Sequence, residues 1–407
     1  MEVIYERCCG LDIHKATITA CVIVGKKKEI RTFGTMTGEL LQMTAFLKEC
    51  KVQMTAMEST GSFWKPIFNI MEVEGVPAIL VNAAHIKNVP GRKTDVKDAE
   101  WIAECLQIGL LKSSFVKPRD QRELCELVRY RGSMIEERAR EYNRMDKVLQ
   151  GANIKLSSVA SKISTVSGMN MVRAICNGED DPTVLAAMAK GAMRSKTEEL
   201  KCALNGLVAP HQKMILKAML DHIEQLSKLI DDLDKEIGER MSQDVELIEA
   251  LDGVTGVGKV SAQTIIAEIG TDMSQFPTAE HLASWACMCP ETKESAGKKK
   301  PSKTKKANST LKKTLVQSGR AAANSKGTYL NAQYSRIAAR RGANRAAVAV
   351  GHSILVIAYH MIKNRTQYND LGADFFQNRS RESLIRQNVK RLESLGFVVS
   401  LEEVAVA

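Results

Sequence analysis

Apolar positions in the first 115 residues come in short β-rich runs separated by amphipathic stretches. The runs at 8–13, 17–24 and 29–33 predict three strands. The first two join through His14-Lys15, and Lys26-Lys27-Lys28 reads as the turn before the third. A helix over 39–49, an apolar strand over 52–57, a helix from about 62 to 74 and a buried strand over 76–81 follow. Over 95–109, Val96, Ala99, Ile102, Ala103 and Leu106 recur at helical spacing. Strands interleaved with helices predict a mixed α/β sheet domain. From 120 to about 241 the period becomes helical throughout. Leu124, Leu127, Val128 and Ile135 line one side of a charged helix that continues to Leu149. Ile215, Met219, Ile223, Leu226, Ile230 and Leu233 line another, and two such helices predict an antiparallel or intermolecular coiled coil. The fold class is therefore α/β plus α, divided as 1–118, a helical region 119–250 with a polar, glycine-punctuated insert at 157–206, a helical domain 251–368, and a tail 369–407.

Charge changes this picture more than composition does. Over 407 residues, 44% apolar, the net charge is +11 with pI near 9.1, which implies a polyanionic partner. The window 291–345 holds 15 Lys or Arg against Glu291 and Glu294, a net +13, so the other 352 residues net −2. The first ten residues lack the basic and apolar pattern of a signal peptide. The longest apolar run, 346–362, is broken by Gly351, His352, Ser353 and His360 and reads as a buried helix rather than a bilayer span. Ten cysteines without paired C-x-x-C spacing argue against zinc and against a disulfide framework, and fit a reducing cytosol.

Three groups of residues carry candidate chemistry. Asp12 closes the first strand, Glu58 follows the 52–57 strand, and Asp95 and Asp98 stand i, i+3 at a helix start, on one face. Converging carboxylates repel unless cations lie between them, and Mg²⁺ prefers such hard oxygen ligands. Read structurally, the same acids are turn residues or favour a helix N-terminus. Gly253-Val-Thr-Gly256-Val-Gly258-Lys259 before a helical stretch has the form of a helix-hairpin-helix turn. Such a turn offers backbone N–H groups to DNA phosphate, although a plain interhelical turn fits equally well. Ser295-Ala-Gly-Lys298 places a hydroxyl in a positive, flexible loop beside Lys298, Lys299 and Lys300, with Lys303, Lys305, Lys306, Lys312 and Lys313 beyond. A serine there can attack a phosphodiester, with cations stabilising the charge that develops; Ser302 and Ser309 are placed equally well, and His14 beside Asp12 could assist.

Taken together and in order, Cys9-Gly-Leu-Asp12-Ile-His14-Lys15, Met57-Glu58-Ser-Thr-Gly61, Gly91-Arg-Lys-Thr-Asp95-Val-Lys-Asp98-Ala99, Gly253-Val-Thr-Gly-Val-Gly258 and Ser295-Ala-Gly-Lys298 resemble a known family. It is the DEDD insertion-sequence transposases, the insertion sequence 110 family, now described as bridge-RNA-guided recombinases. The resemblance covers about residues 5–375, and the insert and tail resemble the family's longer subgroup. Its first half implies an RNase H-like, RuvC-like domain in which Asp12, Glu58, Asp95 and Asp98 bind Mg²⁺. Its second half implies that Ser295 is a nucleophile that joins covalently to a DNA strand end. The resemblance further implies a dimer, with the coiled coil as its contact, assembling to a tetramer with a composite active site. The implied partners are double-stranded donor and target DNA and a structured non-coding guide RNA, in the cytoplasm at the nucleoid and without a membrane. Two other readings compete: a junction-resolving endonuclease that uses metal-activated water, and a non-catalytic nucleic-acid scaffold.

Overall fold

The computed structural model describes residues 3–59, 61–82, 98–290, 293–295, 298–300 and 309–401. Two compact units divide the chain, Met1–Arg119 and Asp120–Ala407.

In the first unit β1 (Arg7–Ile13), β2 (Thr17–Val24), β3 (Lys27–Gly34), β4 (Met54–Glu58) and β5 (Ala78–Val81) form one sheet in the order β3-β2-β1-β4-β5. The pairs β1–β2 and β2–β3 are antiparallel, while β1–β4 and β4–β5 are parallel. This mixed five-stranded sheet fits the RuvC-like arrangement. The turn before β3 is tighter than the lysine run implied: Val24 pairs with Lys27, so Lys27 and Lys28 belong to the strand and Gly25-Lys26 alone make the turn.

The period-2 alternation gives the sheet two buried faces. On one, Cys9, Leu11, Ile18, Ala20 and Val22 meet Leu40, Met43 and Leu47 of α1 (Thr37–Glu49) and Ile67 and Met71 of α2 (Trp64–Val73). On the other, Cys8, Cys21, Ile23, Ala56 and Val81 meet Ala99, Ile102, Ala103 and Leu106 of α3 (Asp98–Gln107). Burial pushes the Cys8 thiol up to about 12 and the Cys21 thiol to about 11, so these core cysteines are poor nucleophiles. All ten cysteines are free thiols.

Among its described residues the second unit is helical apart from one short strand pair. Helices α4 (Arg119–Gly151) and α9 (Pro210–Arg240) run antiparallel side by side: Arg131 bonds Asp234, Arg138 bonds Ser227 and Glu141 meets His222. The buried stripe of α9 is Leu216, Leu220, Ile223, Leu226, Ile230, Leu233 and Ile237. At its N-terminal end Ile215 is exposed and Leu216 is buried instead, while Met219 packs partly buried beside Leu220. The insert widens the buried side there: α5 (Leu156–Val159), α6 (Val166–Cys176), α7 (Pro182–Ala187) and α8 (Thr197–Leu204) share a core with Leu149, Leu216 and Leu220.

Two further helices, α10 (Val245–Asp252) and α11 (Lys259–Ile269), flank the glycine-rich turn, followed by α12 (Ala279–Trp285), α13 (Ser309–Ala322), α14 (Tyr329–Arg341), α15 (Ala343–Asn364) and α16 (Phe375–Ser394). By length and composition α15 could cross a bilayer. Here Ala347, Val350, Ile354, Leu355 and Tyr359 are buried in the unit, and the Tyr359 hydroxyl donates to the Phe276 carbonyl at 2.9 Å.

Two arginines of α4 fix its register against α11. Arg129 donates twice to the fully buried Glu268, at 2.7 and 2.9 Å. Arg131, itself fully buried, donates to Asp234 at 2.7 Å and to the buried Gln263 at 2.6 Å. Arg131→Met keeps most of the volume but leaves the Gln263 amide oxygen without this donor. We expect a loss of about 1–3 kcal/mol in urea unfolding. Adding Gln263→Leu should restore most of it, because an apolar pair of similar shape costs little. A single variant as stable as wild type would remove this register role.

Candidate active site

The acids are positioned by strand register. Leu11 pairs with Met57 across the parallel β1–β4 ladder, so Asp12 and Glu58 stand side by side at the C-terminal ends of adjacent strands. Cys8 on β1 and Ala56 on β4 pack against α3. Alternation along each strand then turns Gly10, Asp12 and Glu58 to that same face. Asp98 is the first residue of α3, the helix that covers the face. Asp12 and Glu58 are half-buried and Asp98 is exposed, while His14 Nε2 lies 3.2 Å from Asp12 Oδ2. Asp95 lies outside the described residues.

The strand register brings Asp12 and Glu58 together, and carboxylates are the hard-oxygen ligands that divalent cations prefer. Among the described residues, no three acids or other ligand-type side chains are close enough to hold an ion.

Two devices seat α3. Lys28 on β3 bonds Glu100 and Glu104, one helical turn apart on α3, each at 2.5 Å, and these carboxylates hold its ammonium well above the ordinary lysine range. At Gly10 the helix meets the strand backbone to backbone: a Cβ there would collide with the Ala99 carbonyl oxygen and the Ala103 nitrogen. Gly10→Ala should therefore push α3, with Asp98 at its start, away from β1. We expect a cost of about 2–4 kcal/mol, read by thermal or urea unfolding. Unchanged stability would mean that α3 does not rest on this notch.

Ser295 ends β6 (Lys293–Ser295), which pairs antiparallel with β7 (Lys298–Lys300) in the register Ser295↔Lys298. The serine thus sits on a β-hairpin strand and not in the flexible loop that its small and basic neighbours implied. Ladder pairing fixes a backbone that composition alone leaves open.

Two family models match the chain, one over the acids and one over Ser295. The DEDD transposase model of the IS110 family, described as transposase, matches residues 9–154. The model described as transposase of the IS116/IS110/IS902 family matches residues 248–335. The chain belongs to the IS110-family transposases.

Curated relatives agree at low identity. The transposase for insertion sequence element IS1111A of Coxiella burnetii is 22% identical over 368 residues, 88% of this chain and 90% of the relative. A probable family 20 transposase of Pseudomonas aeruginosa is 23% identical over 333 residues, 80% of this chain and 89% of the relative.

In this IS110-family transposase the glycine-rich turn is partly structural. Gly256 has φ +86°, and a Cβ there would strike the Ser318 carbonyl oxygen and the Ala322 nitrogen of α13, so its missing side chain serves helix packing. Gly258 caps α11, and both it and Lys259 are exposed, leaving them available to a phosphate. Lys312 and Lys313 lie on α13, and Lys313 is ion-paired with Glu136. Lys298, Lys299 and Lys300 form β7; Lys303, Lys305 and Lys306 fall outside the described residues. Sequence reasoning missed Lys28, which it placed in a turn, and the notch at Gly10. A glycine two residues before a strand-terminal Asp12 is the signal that could have found the notch.

Proposed function

We propose that this transposase moves its own insertion sequence by RNA-guided, site-specific DNA strand exchange, using a Mg²⁺-binding acidic tetrad and a serine nucleophile. One observation carries the reading: the two family matches fall on the two chemistries, 9–154 enclosing Asp12, Glu58, Asp95 and Asp98, and 248–335 enclosing Ser295. The division proposed is a RuvC-like catalytic domain at 1–118, a helical region at 119–250 holding the insert, a serine-bearing domain at 251–368 and a tail from 369.

The metal, when bound by the acids, supplies charge neutralisation at the phosphate. The chain's own residues do the rest. The Ser295 hydroxyl oxygen attacks phosphorus, a Ser–O–P bond forms, the P–O bond to the departing strand end breaks, and the hydroxyl proton is passed to the departing strand's oxygen, which leaves as a free hydroxyl. Lysines at 298–300 and 303–313 stabilise the added negative charge and hold the backbone. Base selection is delegated to a structured RNA that pairs with donor and target DNA. This suits a chain with 5% aromatic residues, whose clustered cations contact phosphates more than bases. The protein works as a homo-oligomer at the nucleoid.

Two measurements test the reading together. RNA that co-purifies with the protein is sequenced, and a discrete structured species encoded beside the gene is expected; random cellular RNA would remove the guide. The purified complex is then incubated with element-end DNA and Mg²⁺, and a covalent protein–DNA adduct is expected on a denaturing gel. Cleavage without any adduct would favour a metal-activated-water nuclease instead.

A further inference from the structure

Between residues 295 and 369 the chain contains no Asp or Glu. The lysine run accounts for only the first part of that stretch. Four arginines farther along gather at one corner of the helical unit. Arg340 and Arg341 end α14, Gly342 closes that helix and opens α15, and Arg345 stands in the first turn of α15. Arg320, from the last turn of α13, donates Nη2 to Asn344 Oδ1 at 3.1 Å and so joins the same corner. All four side chains are exposed, and among the described residues none of them has a carboxylate within ion-pair distance.

The fold itself explains only two of the four. Arg340 and Arg341 suit the negative end of α14's dipole. Arg345 opposes the positive end of α15, where an acid would be stabilising, and Arg320 adds a further cation at that end. Gathering four guanidinium groups at a helix N-terminus without an internal counterion costs free energy, unless a polyanion lies over them. Guanidinium forks match phosphate oxygens, and the exposed helix end adds N–H donors of the same polarity. No aromatic residue lies beside them in the chain: 316–328 and 335–350 contain no Phe, Tyr or Trp, and Tyr329, at the far end of α14, packs on Phe375 and Phe376 with ring centroids 5.2 and 5.1 Å away. That combination favours the backbone of a duplex over the splayed bases of a single strand.

We infer that the corner formed by Arg320, Arg340, Arg341 and Arg345 is a docking surface for double-stranded DNA that grips phosphates without reading sequence. The choice of DNA rests on the transposase reading. The test uses the full-length protein and a fluorescein-labelled DNA duplex of arbitrary sequence, titrated by anisotropy across a salt series without divalent metal. In the triple variant Arg340→Ala/Arg341→Ala/Arg345→Ala, affinity at physiological salt should fall by on the order of tenfold to a hundredfold. The slope of log affinity against log salt should become shallower by about 2.7, three phosphates at ~0.9 each. Removing exposed, mutually repelling cations should leave the melting temperature at or above that of the wild type, and the triple lysine variant should keep the wild-type slope. A triple alanine variant with wild-type affinity and slope, a lysine variant as weak as the alanine one, or a loss confined to an RNA duplex would each overturn the assignment. No strand is cut in this assay, so its failure is separate from failure of the adduct experiment.

Discussion

Ser295→Ala is expected to eliminate the protein–DNA adduct and to reduce strand exchange by on the order of 10⁴-fold or more, the scale of losing a covalent nucleophile. The change removes one oxygen from a hairpin strand whose backbone pairing with Lys298 does not depend on it, so duplex binding should survive. Two neighbouring hydroxyls provide the control. Ser302 has the same basic neighbours in sequence, and Ser309 is the exposed first residue of α13. Ser302→Ala and Ser309→Ala should each retain the adduct. An adduct that persists in Ser295→Ala moves the nucleophile elsewhere, and full cleavage without any adduct leaves metal-activated water as the attacking group.

Asp12→Asn is the second large effect. The amide keeps the shape of the side chain at the end of β1 but removes the charge and one hard oxygen, and cleavage should fall about a thousandfold, roughly 4 kcal/mol of barrier. A binding readout accompanies it. Mg²⁺ at a hundred times its dissociation constant should stabilise the wild type by about 2.7 kcal/mol, and Asp12→Asn should lose most of that stabilisation. A variant that remains active and metal-stabilised would take Asp12 out of the site. Asp98→Asn is expected to behave alike, since α3 is pinned over the same face by Lys28 and by the notch at Gly10.

Much of the first unit was legible because its signals are local. Strand alternation and a terminal acid put Asp12 and Glu58 at strand ends, and helical spacing marked α1, α2 and α3 to within a few residues. Helical periodicity likewise marked α4 and α9. What it could not show is that Arg131 and Glu141, polar on any scale, sit on the buried side of α4, because their burial depends on Asp234, Gln263 and His222 far along the chain. For the same reason periodicity marks Ile215 where Leu216 is the buried residue of α9: the helix faces the insert's core there as well as α4.

The sequence by itself determined the chemistry on offer: four acids, a serine among cations, and a 75-residue stretch, 295–369, without a negative charge. Those are properties of residue type and spacing, and folding does not change them. The tertiary structure alone decided which of them share a face. Register between β1 and β4 sets Asp12 beside Glu58, and backbone contact at Gly10 brings α3 down onto β1. A helix corner at Gly342 gathers arginines that lie up to 25 residues apart in the chain. Contacts of that kind join backbones and side chains distant in sequence, so they leave no period for a linear pattern to reveal.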